Sequence, residues 1–439
     1  MSDQNVIQPQ TEARAPRILD TRLDEFLAGP HDPDCDARPG SRRGRRLFWT
    51  DGLVSNVSES FVLNFTNPFA LALGATNTQM GLMSSITNLA AAFALFPGAR
   101  LDERIASRKK VVVFLSLVHR LLLLAIALLP SIVGGGAIYA FIALVALRSF
   151  FSQLPYPAWS AFSADLVPPR IRGRYFSSRN IGLALAALFS TVLAGRLADI
   201  IGLPRGYQIG FALAAFVGFA ATGVFNGIPD PPRSRSVTGE TSETKQPLLQ
   251  LLRTHPRFAA FTAVGFLWNL SIMVAGPYFS VFIVRILEAS PTQIGLLAAI
   301  NSLANIIGQR IWGRLNDRKS AAWVMAAAGL MIPLVPALYA VAPNPWFLLL
   351  VESLSGFAWA GYSLASFNLM LALAPDEQRA RFSATYQVAV FGASFVGPLL
   401  GMLLVSVADI RILFWISAAG RLLASILFMV TVRTGSDKV

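Results

Sequence analysis

Several ionisable side chains lie within long apolar stretches of this sequence, where an isolated charge in hydrocarbon costs several kcal/mol. Glu59, His119, Arg120 and Arg148 are among them. Ionisable groups in such stretches pair with each other, line a water-filled path or carry protons, so each is a candidate functional residue. Because a carboxyl group can take up and release a proton, we predict Glu59 as the first proton-coupling residue and Asp51 as the second.

Polar side chains follow one another at helical spacing along the stretch that contains Glu59. Asp51, Ser55 and Glu59 fall near one stripe of a helix, and Asn56 and Asn64 lie beside it. Each needs a partner, which is either water in a wet cavity or a hydrogen bond to another helix. Aromatic and amide side chains in other apolar stretches suit a medium-sized, partly apolar ligand. The predicted ligand-binding residues are Ser55, Asn56, Glu59, Asn64, Arg148, Gln153, Tyr156, Trp159, Trp268, Asn269, Tyr278, Asn301, Asn305, Trp359 and Tyr362.

Motifs for other kinds of chemistry are missing from the sequence. The phosphate-binding pattern GxxxxGK[ST] does not occur, which argues against an ATP-driven pump. The three histidines and one cysteine are scattered, which argues against a structural zinc site, and Cys35 can form no internal disulfide bond. We expect no cofactor, no metal ion and no enzymatic activity, and a membrane-embedded enzyme is the remotest alternative.

The composition indicates an integral membrane protein. Of the 439 residues, 54% are hydrophobic and only 14% are charged, whereas soluble proteins carry about 25% charged residues. The mean hydropathy is +0.54. These values exclude a disordered chain and a disulfide scaffold, and they argue against a soluble multi-domain enzyme.

Twelve membrane-spanning helices, called spans 1 to 12 below, account for most of the chain, since each needs roughly 20 residues. They are predicted at 48–73, 78–98, 110–133, 136–162, 175–198, 206–228, 258–285, 292–314, 320–341, 345–373, 381–407 and 411–432. The predicted units are a basic, mostly disordered tail (1–47), a six-helix bundle (48–228), a polar linker (229–257), a second six-helix bundle (258–432) and a C-terminal tail (433–439). An interruption with a bend is predicted at Pro155 and Pro157 in span 4, and a break is predicted at Gly276 and Pro277 in span 7.

Lysine and arginine are concentrated in every second loop. The basic loops contain residues 100–110, 170–174, 310–319 and 379–381, whereas 74–78, 130–136 and 341–345 carry neither residue type. We call the side of the basic loops the basic side and the other the opposite side. Short basic loops stay in the cytoplasm, so we expect the basic side and both termini to be cytoplasmic. The net charge of +13 then reflects these loops and a lipid-binding run at 38–47, not nucleic-acid binding.

An internal repeat relates the two halves of the chain. TQMGLMSSITNLA (78–90) aligns on TQIGLLAAINSLA (292–304) with seven of 13 residues identical and an offset of 214. At that offset ARLDER (99–104) falls on GRLNDR (313–318), and VPPRIRGRYFS (167–177) resembles APDEQRARFS (374–383). Parallel repeats of this kind are related by an axis along the membrane normal. The two halves are therefore predicted to have the same topology.

These motifs make the sequence resemble a major facilitator superfamily transporter. GRLNDR (313–318) is similar to the GxLxDR signature that the family carries between its helices 8 and 9. The first-half copy of this motif is ARLDER (99–104). The repeat alignment places Glu103 at the acidic position of the signature, whereas an alignment that starts at Gly98 places Asp102 there. The resemblance covers about 48–432 and implies an all-α membrane protein, with twelve transmembrane helices in two pseudo-symmetric six-helix bundles.

The resemblance also implies which spans line a central cavity. In the family, helices 1, 4, 7 and 10 line it, and helices 3, 6, 9 and 12 are peripheral. It therefore favours Glu59 and Arg148 as cavity residues and assigns His119, Arg120 and Arg421 structural or snorkelling roles. GASFVGPLLG (392–401) is similar to a glycine-proline signature that drug/proton antiporters carry in helix 5, but it lies in span 11, where we interpret it as close helix packing.

The loop motifs imply a gate at the basic side. A carboxylate at the end of one helix can bond the N-terminal amides of a facing helix and pair with arginines, and these contacts break when the site opens. The predicted gating residues are Asp102, Glu103, Arg104, Arg108, Asp317 and Arg318. The alternative is a simple topology anchor. On the other side, Glu352 and Arg285 either form an external gate pair or face the lipid headgroups.

The sequence as a whole indicates a secondary transporter of a small molecule that works by alternating access. We expect a monomer in the plasma (cell inner) membrane, with the lipid bilayer and the substrate as partners, proton-coupled efflux as the favoured mode, and no nucleic-acid partner. The alternative is a transport-inactive receptor or assembly factor with the same fold. The charged loops in both halves disfavour it, because a static protein needs no paired release points.

Overall fold

The computed structural model describes residues 18–31, 36, 40–105, 107–133, 137–231, 253–373 and 379–432, and these contain helices and no strand. Eleven of the helices are long and apolar enough to cross a membrane. Span 1 is the twelfth and is a helix of 32 residues. Its many polar side chains make it less apolar than the other eleven.

The helices follow the predicted order with shifted ends. In the first half they are Ile18–Ala28 (the N-terminal helix), Ser41–Ala72 (span 1), Asn77–Arg104 (span 2), Arg108–Ile132 (span 3), Ala137–Gln153 and Tyr156–Leu166 (span 4), Pro169–Ile201 (span 5) and Arg205–Asn226 (span 6). In the second half they are Pro256–Val281 with a π-helical turn at Phe282–Ile286 (span 7), Pro291–Arg318 (span 8), Ala321–Met331 and Leu334–Val341 (span 9), Phe347–Leu373 (span 10), Arg379–Val407 (span 11) and Ile410–Thr431 (span 12).

Proline breaks the helix at one of the two predicted places. Span 4 is interrupted between Gln153 and Tyr156, as predicted from Pro155. The break predicted at Gly276 and Pro277 is wrong, because the helix of span 7 continues through Pro277 to Val281. A proline removes one backbone hydrogen bond, and packed neighbouring helices in a membrane protein tolerate that loss. The irregular turn follows instead at Phe282–Ile286.

The sequence repeat corresponds to a repeated helix start. Thr76 and Gln79 form a reciprocal capping box at the start of span 2, in which each side chain bonds the other residue's backbone N–H. Ser290 and Gln293 form the same box at the start of span 8. Such a box satisfies two backbone donors that a helix end otherwise leaves free. The glutamines conserved between the two copies of the repeat therefore have a defined structural role.

Two bundles of six spans form the fold. In the first half, span 1 packs against spans 5 and 6, span 3 against spans 4 and 6, and span 2 against span 4. In the second half, span 7 packs against spans 11 and 12, span 8 against span 10, and span 9 against spans 10 and 12. The main contacts between the halves join span 5 to span 8 and span 2 to span 11. The repeat relates span 2 to span 8 and span 5 to span 11, so the two interfaces are equivalent.

The N-terminal helix packs against the basic end of the first bundle, where a buried arginine holds it. Arg45 is fully buried. Its Nε donates to the Ala28 carbonyl at 2.6 Å, its Nη1 donates to Ser41 Oγ at 2.7 Å, and its Nη2 pairs with Asp36. The hydroxyl of Tyr175 in span 5 donates to the Arg45 carbonyl at 2.7 Å. Arg45 thus connects the N-terminal helix to spans 1 and 5.

Replacing Arg45 with alanine is expected to release the N-terminal helix. Removing one partner of a buried ion pair costs about 3–5 kcal/mol, so hydrogen exchange of the backbone amides in Ile18–Ala28 should become at least roughly tenfold faster. Mass spectrometry of the exchanged protein measures this rate. Arg43→Ala is the matched control, because Arg43 lies on span 1 like Arg45 but is exposed. Equal exchange rates in both variants would contradict the role of Arg45.

Candidate functional site

A charged cluster lies inside the first bundle, centred on Glu59. Its Oε2 accepts a hydrogen bond from Arg148 Nη2 at 2.6 Å, and its Oε1 accepts one from Arg120 Nη1 at 2.5 Å. His119 Nε2 lies 3.5 Å from the same Oε1. The Glu59 side chain is 31% exposed, whereas those of Arg120 and Arg148 are 4% and 11% exposed. Two guanidinium groups thus oppose one carboxylate.

His119 and Arg120 do not snorkel towards the membrane surface, so that alternative is wrong. Both are buried and face Glu59, since the polar face of span 3 turns into the bundle. Gly218 of span 6 leaves the space for Arg120, because a Cβ at Gly218 would lie 2.4 Å from Arg120 Cδ. The signal in the sequence was two adjacent ionisable residues in mid-span, whose burial requires a counter-charge.

Asp51 lies in a second polar group nearer the basic side. It is 6% exposed, and its Oδ1 accepts a 3.4 Å hydrogen bond from Ser55 Oγ. Arg179 of span 5 occupies the space beside Gly52, where a Cβ would lie 2.4 Å from Arg179 Nη2. The Arg179 guanidinium stacks over Phe48, with its Cζ 4.7 Å from the ring centroid. Spans 1 and 5 are therefore joined by charge and ring contacts here.

Two of the asparagines predicted to bind a ligand contact backbone instead. Asn56 Nδ2 donates to the Leu183 carbonyl of span 5 at 2.6 Å. Asn64 Nδ2 donates to the Ser60 carbonyl one turn earlier in span 1 at 2.7 Å. Interhelical hydrogen bonding, the alternative to a wet cavity, thus accounts for Asn56.

Three further predicted ligand-binding residues lie around the break in span 4. Tyr156 and Trp159 stack with ring centroids 6.0 Å apart, and the Trp159 ring lies 5.8 Å from that of Phe48. The side chains of Gln153 and Tyr156 are exposed. These residues line neither of the two cavities described below.

A cavity of about 770 Å³ separates the bundles between spans 5 and 8. Amide side chains dominate its polar wall, with Asn180 from span 5 and Asn301, Asn305 and Gln309 from span 8. Arg310 completes this wall. Asn301 lies near the middle of span 8, and the other wall residues lie in the halves of spans 5 and 8 nearer the basic side. The predicted ligand-binding residues Asn301 and Asn305 therefore face the space between the bundles.

Close backbone contacts join the bundles at the opposite side. A Cβ on Gly295 of span 8 would lie 2.4 Å from the Thr191 carbonyl oxygen, and a Cβ on Gly195 of span 5 would lie 2.3 Å from that of Pro291. The Asp199 carboxylate accepts a 2.8 Å bond from the backbone N–H of Thr292. The cavity therefore lies towards the basic side, and the bundles meet at the other end.

Span 7 contributes to this closure. Tyr278 is fully buried, and its hydroxyl donates to the Asn77 carbonyl at 3.4 Å, so it contacts the first bundle and not a cavity. Arg285 donates to Asn77 Oδ1 at 3.1 Å and to the Ala75 carbonyl. The alternative in which Arg285 pairs with Glu352 is wrong, because Arg285 contacts the first bundle while Glu352 bonds within the second.

A second cavity of about 360 Å³ opens among spans 7, 10 and 11. It is lined by four predicted ligand-binding residues, Trp268, Asn269, Trp359 and Tyr362. The Trp268 and Tyr362 rings stack at 4.5 Å with an interplanar angle of 12°. Trp268 is 2% exposed, and its Nε1–H has no acceptor among the described residues. The pocket therefore presents aromatic surface, whereas the Trp268 Nε1–H is itself buried.

The structure describes only part of the predicted gate. Arg108 Nη1 pairs with Asp165 Oδ2 of span 4 at 2.5 Å, which is a contact within the first bundle. Arg318 is exposed at the end of span 8. The side chains of Asp102, Glu103, Arg104 and Asp317 lie outside the described residues, so their gating role stays a prediction.

Comparison with known proteins identifies the family. The sequence profile described as Major Facilitator Superfamily matches residues 52–282 and 269–438. The chain belongs to the major facilitator superfamily. The predicted fold of this multi-pass membrane protein, two pseudo-symmetric six-helix bundles, is thereby confirmed.

Curated relatives of this superfamily member match it over a part of their length. A "Multi-drug resistance efflux pump PmrA homolog" from Lactococcus lactis is 32% identical over 133 residues, which are 30% of this chain and 33% of that protein. A "Staphyloferrin B transporter" from Staphylococcus aureus is 29% identical over 137 residues, 30% of this chain and 32% of that protein. The match thus spans about a third of these relatives.

Solved structures resemble the superfamily fold over nearly its whole length. The nucleoside transporter NupG superposes with a TM-score of 0.69 at 14% identity, covering 88% of this chain and 98% of that one. A bacterial homologue of the iron transporter ferroportin in an inward-facing state gives 0.68 at 18% identity, covering 89% and 98%. At these identities the likeness shows the fold alone.

Proposed function

We propose that this protein is a secondary active transporter, not an enzyme, that moves a small molecule across the membrane by alternating access. The supporting observation is the cavity between spans 5 and 8, which lies towards one side while close contacts at Gly195 and Gly295 join the bundles at the other. Alternating access needs such an asymmetry, in which the two bundles are in contact at one side of the membrane and separated at the other.

The positive-inside rule supports an orientation with the basic side and both termini in the cytoplasm. On that proposal the protein is a monomer in the plasma membrane, and the structure represents its inward-open state. Export is the preferred direction, because the curated relatives include proteins named as multidrug efflux pumps.

The second cavity supports a substrate class. Its aromatic wall at Trp268, Trp359 and Tyr362 suits a planar aromatic molecule. We assign substrate binding to this pocket and to Asn301 and Asn305, which line the first cavity.

Proton coupling is assigned first to Glu59 and second to Asp51. A proton on Glu59 would remove the counter-charge of Arg120 and Arg148, so the two guanidinium groups would then be free to move or to bind an anionic group. Protonation is in this way connected to the packing of spans 1, 3 and 4.

Flux measurements in proteoliposomes test the proposed function. Two fluorescent dyes are followed with and without an imposed pH gradient. They are anthracenecarboxylate, a planar aromatic anion, and ethidium, a planar aromatic cation. Protein-dependent flux of at least one dye, increased by the pH gradient, is the expected result. Tight binding of a dye without any flux would contradict transport and would support the transport-inactive receptor instead.

Trp359→Ala is expected to weaken dye recognition. Losing one aromatic contact costs about 1 kcal/mol, so the dye concentration for half-maximal flux should rise roughly fivefold. Trp415→Ala is the matched control, because Trp415 is 52% exposed on span 12 and lines neither cavity. If this concentration rises equally in both variants, or does not rise in Trp359→Ala, the pocket is not part of the binding site.

A further inference from the structure

Glu59 in the first bundle and Glu352 in the second are both held by hydrogen bonds, and the partners of the two carboxyl groups differ in charge. Glu59 contacts two guanidinium groups. Glu352 of span 10 contacts neutral donors, with Tyr339 Oη at 2.5 Å from Oε1 and Asn301 Nδ2 at 2.6 Å from Oε2. Among the described residues, no cation lies within 4.0 Å of the Glu352 carboxylate. Protonating Glu352 therefore breaks no ion pair.

We propose that Glu352 takes up and releases a proton during the transport cycle, and that Asn301 connects this carboxyl group to the cavity between the bundles. The inference rests on the proposed function for the transport cycle and goes beyond it in naming a proton site in the second bundle.

The two hydrogen-bond partners determine which oxygen receives the proton. Asn301 Nδ2 can only donate, so Oε2 must stay an acceptor. The Tyr339 hydroxyl can donate or accept, so a proton from water can bond to Oε1 while the Tyr339 hydroxyl rotates from donor to acceptor. The contact between Glu352 and Tyr339 survives, and Glu352 changes from a charged to a neutral group.

Among the residues that the structure describes, few other charged or titratable groups surround Glu352. Span 8 presents the amides of Asn301 and Asn305, and span 9 presents Tyr339. On span 12, Arg411 donates to the Ala340 carbonyl at 2.9 Å, and Arg421 is directed to Phe279, with its Cζ 5.9 Å from that ring centroid. Span 11 has no ionisable side chain between Gln387 and Val407. No neighbouring carboxyl group from these spans therefore competes for the proton.

Asn301 places the carboxyl group directly behind the cavity wall. It lines the 770 Å³ cavity, and its Nδ2 also lies 3.4 Å from the Glu352 carbonyl oxygen. Spans 8 and 10 touch through their backbones at the same level, since a Cβ on Gly356 would lie 2.1 Å from the Asn301 carbonyl oxygen. A change of charge at Glu352 therefore acts on a side chain that faces the cavity and on a helix that packs against span 5.

Infrared difference spectroscopy of the full chain in lipid vesicles tests this assignment. Spectra taken between acidic and alkaline buffer detect the carbonyl stretch that a carboxyl group gains with a proton. We expect Glu352→Gln to lose one component of that band. We expect Asn301→Leu and Tyr339→Phe to shift the same component, because each removes a hydrogen bond to the group. Glu288→Gln, which changes an exposed carboxyl group, should leave that component in place.

The outcomes separate this proposal from the proposed function. The spectra need no substrate. If no dye flux is observed, the proposed transport function fails, but the titration of Glu352 can still be measured. An unchanged band in Glu352→Gln would overturn the proton site. A lost band in Glu352→Gln without a shift in Asn301→Leu would overturn the connection to the cavity. If Glu352→Gln does not reach the membrane, an unshifted band in Tyr339→Phe overturns the assignment.

Discussion

Glu59→Gln is expected to abolish gradient-driven accumulation of the dye while leaving exchange of the dye across the membrane. A glutamine at this position cannot take up a proton, so movement of the dye is no longer tied to movement of a proton. Exchange needs only that the loaded protein alternate between its two states. The measurement compares uptake driven by a pH gradient with counterflow at equal pH in proteoliposomes. Retained accumulation would refute the role of Glu59.

The same replacement is also expected to lower thermal stability. It leaves Arg120 and Arg148 without their counter-charge in the interior, and breaking a buried ion pair costs about 3–5 kcal/mol. The double variant Glu59→Gln/Arg120→Gln removes the excess charge, so its unfolding temperature should recover in part while accumulation stays lost. Glu288→Gln is the control for removal of a single carboxyl group from an exposed position.

Residue types and spacing predicted the fold because each governing signal was local. The apolar lengths and the alternation of basic loops defined the spans. The repeat placed Gln79 and Gln293 at equivalent helix starts, where both form capping boxes. The pair of Glu59 with Arg148 could be anticipated as well, because two opposite charges in mid-membrane both need compensation.

The remaining parts of the site depend on how each helix is rotated, which local patterns do not determine. Arg120 reaches Glu59 because Gly218 on a third helix leaves room for it. The donors to Glu352 come from Tyr339 and Asn301 on two other spans, so only the packed structure brings the three groups together. A family rule that assigns spans to centre or periphery does not include such contacts within a bundle.

Replacing Gly295 with leucine is expected to reduce transport at least roughly tenfold by preventing closure of the opposite side. Even a Cβ at this position would lie 2.4 Å from the Thr191 carbonyl oxygen, so the two bundles must separate there. Overpacking of this kind costs about 1–3 kcal/mol. About 1.4 kcal/mol changes an equilibrium constant tenfold, so the protein should shift from the observed state to one open at the opposite side.

Labelling of a single cysteine measures that shift. In a Cys35→Ser background, Thr292→Cys places the thiol where the Thr292 hydroxyl is buried at the contact between spans 5 and 8. A membrane-impermeant maleimide is applied from the opposite side. Adding Gly295→Leu should raise the rate at which this thiol reacts with the maleimide at least roughly tenfold. Gly223→Leu is the control, because nothing lies within 4 Å of a Cβ at Gly223. The fold should persist in Gly295→Leu, because the steric conflict lies between the bundles and not within one. A labelling rate equal to that of the Gly223→Leu control would show that this contact does not hold the opposite side closed.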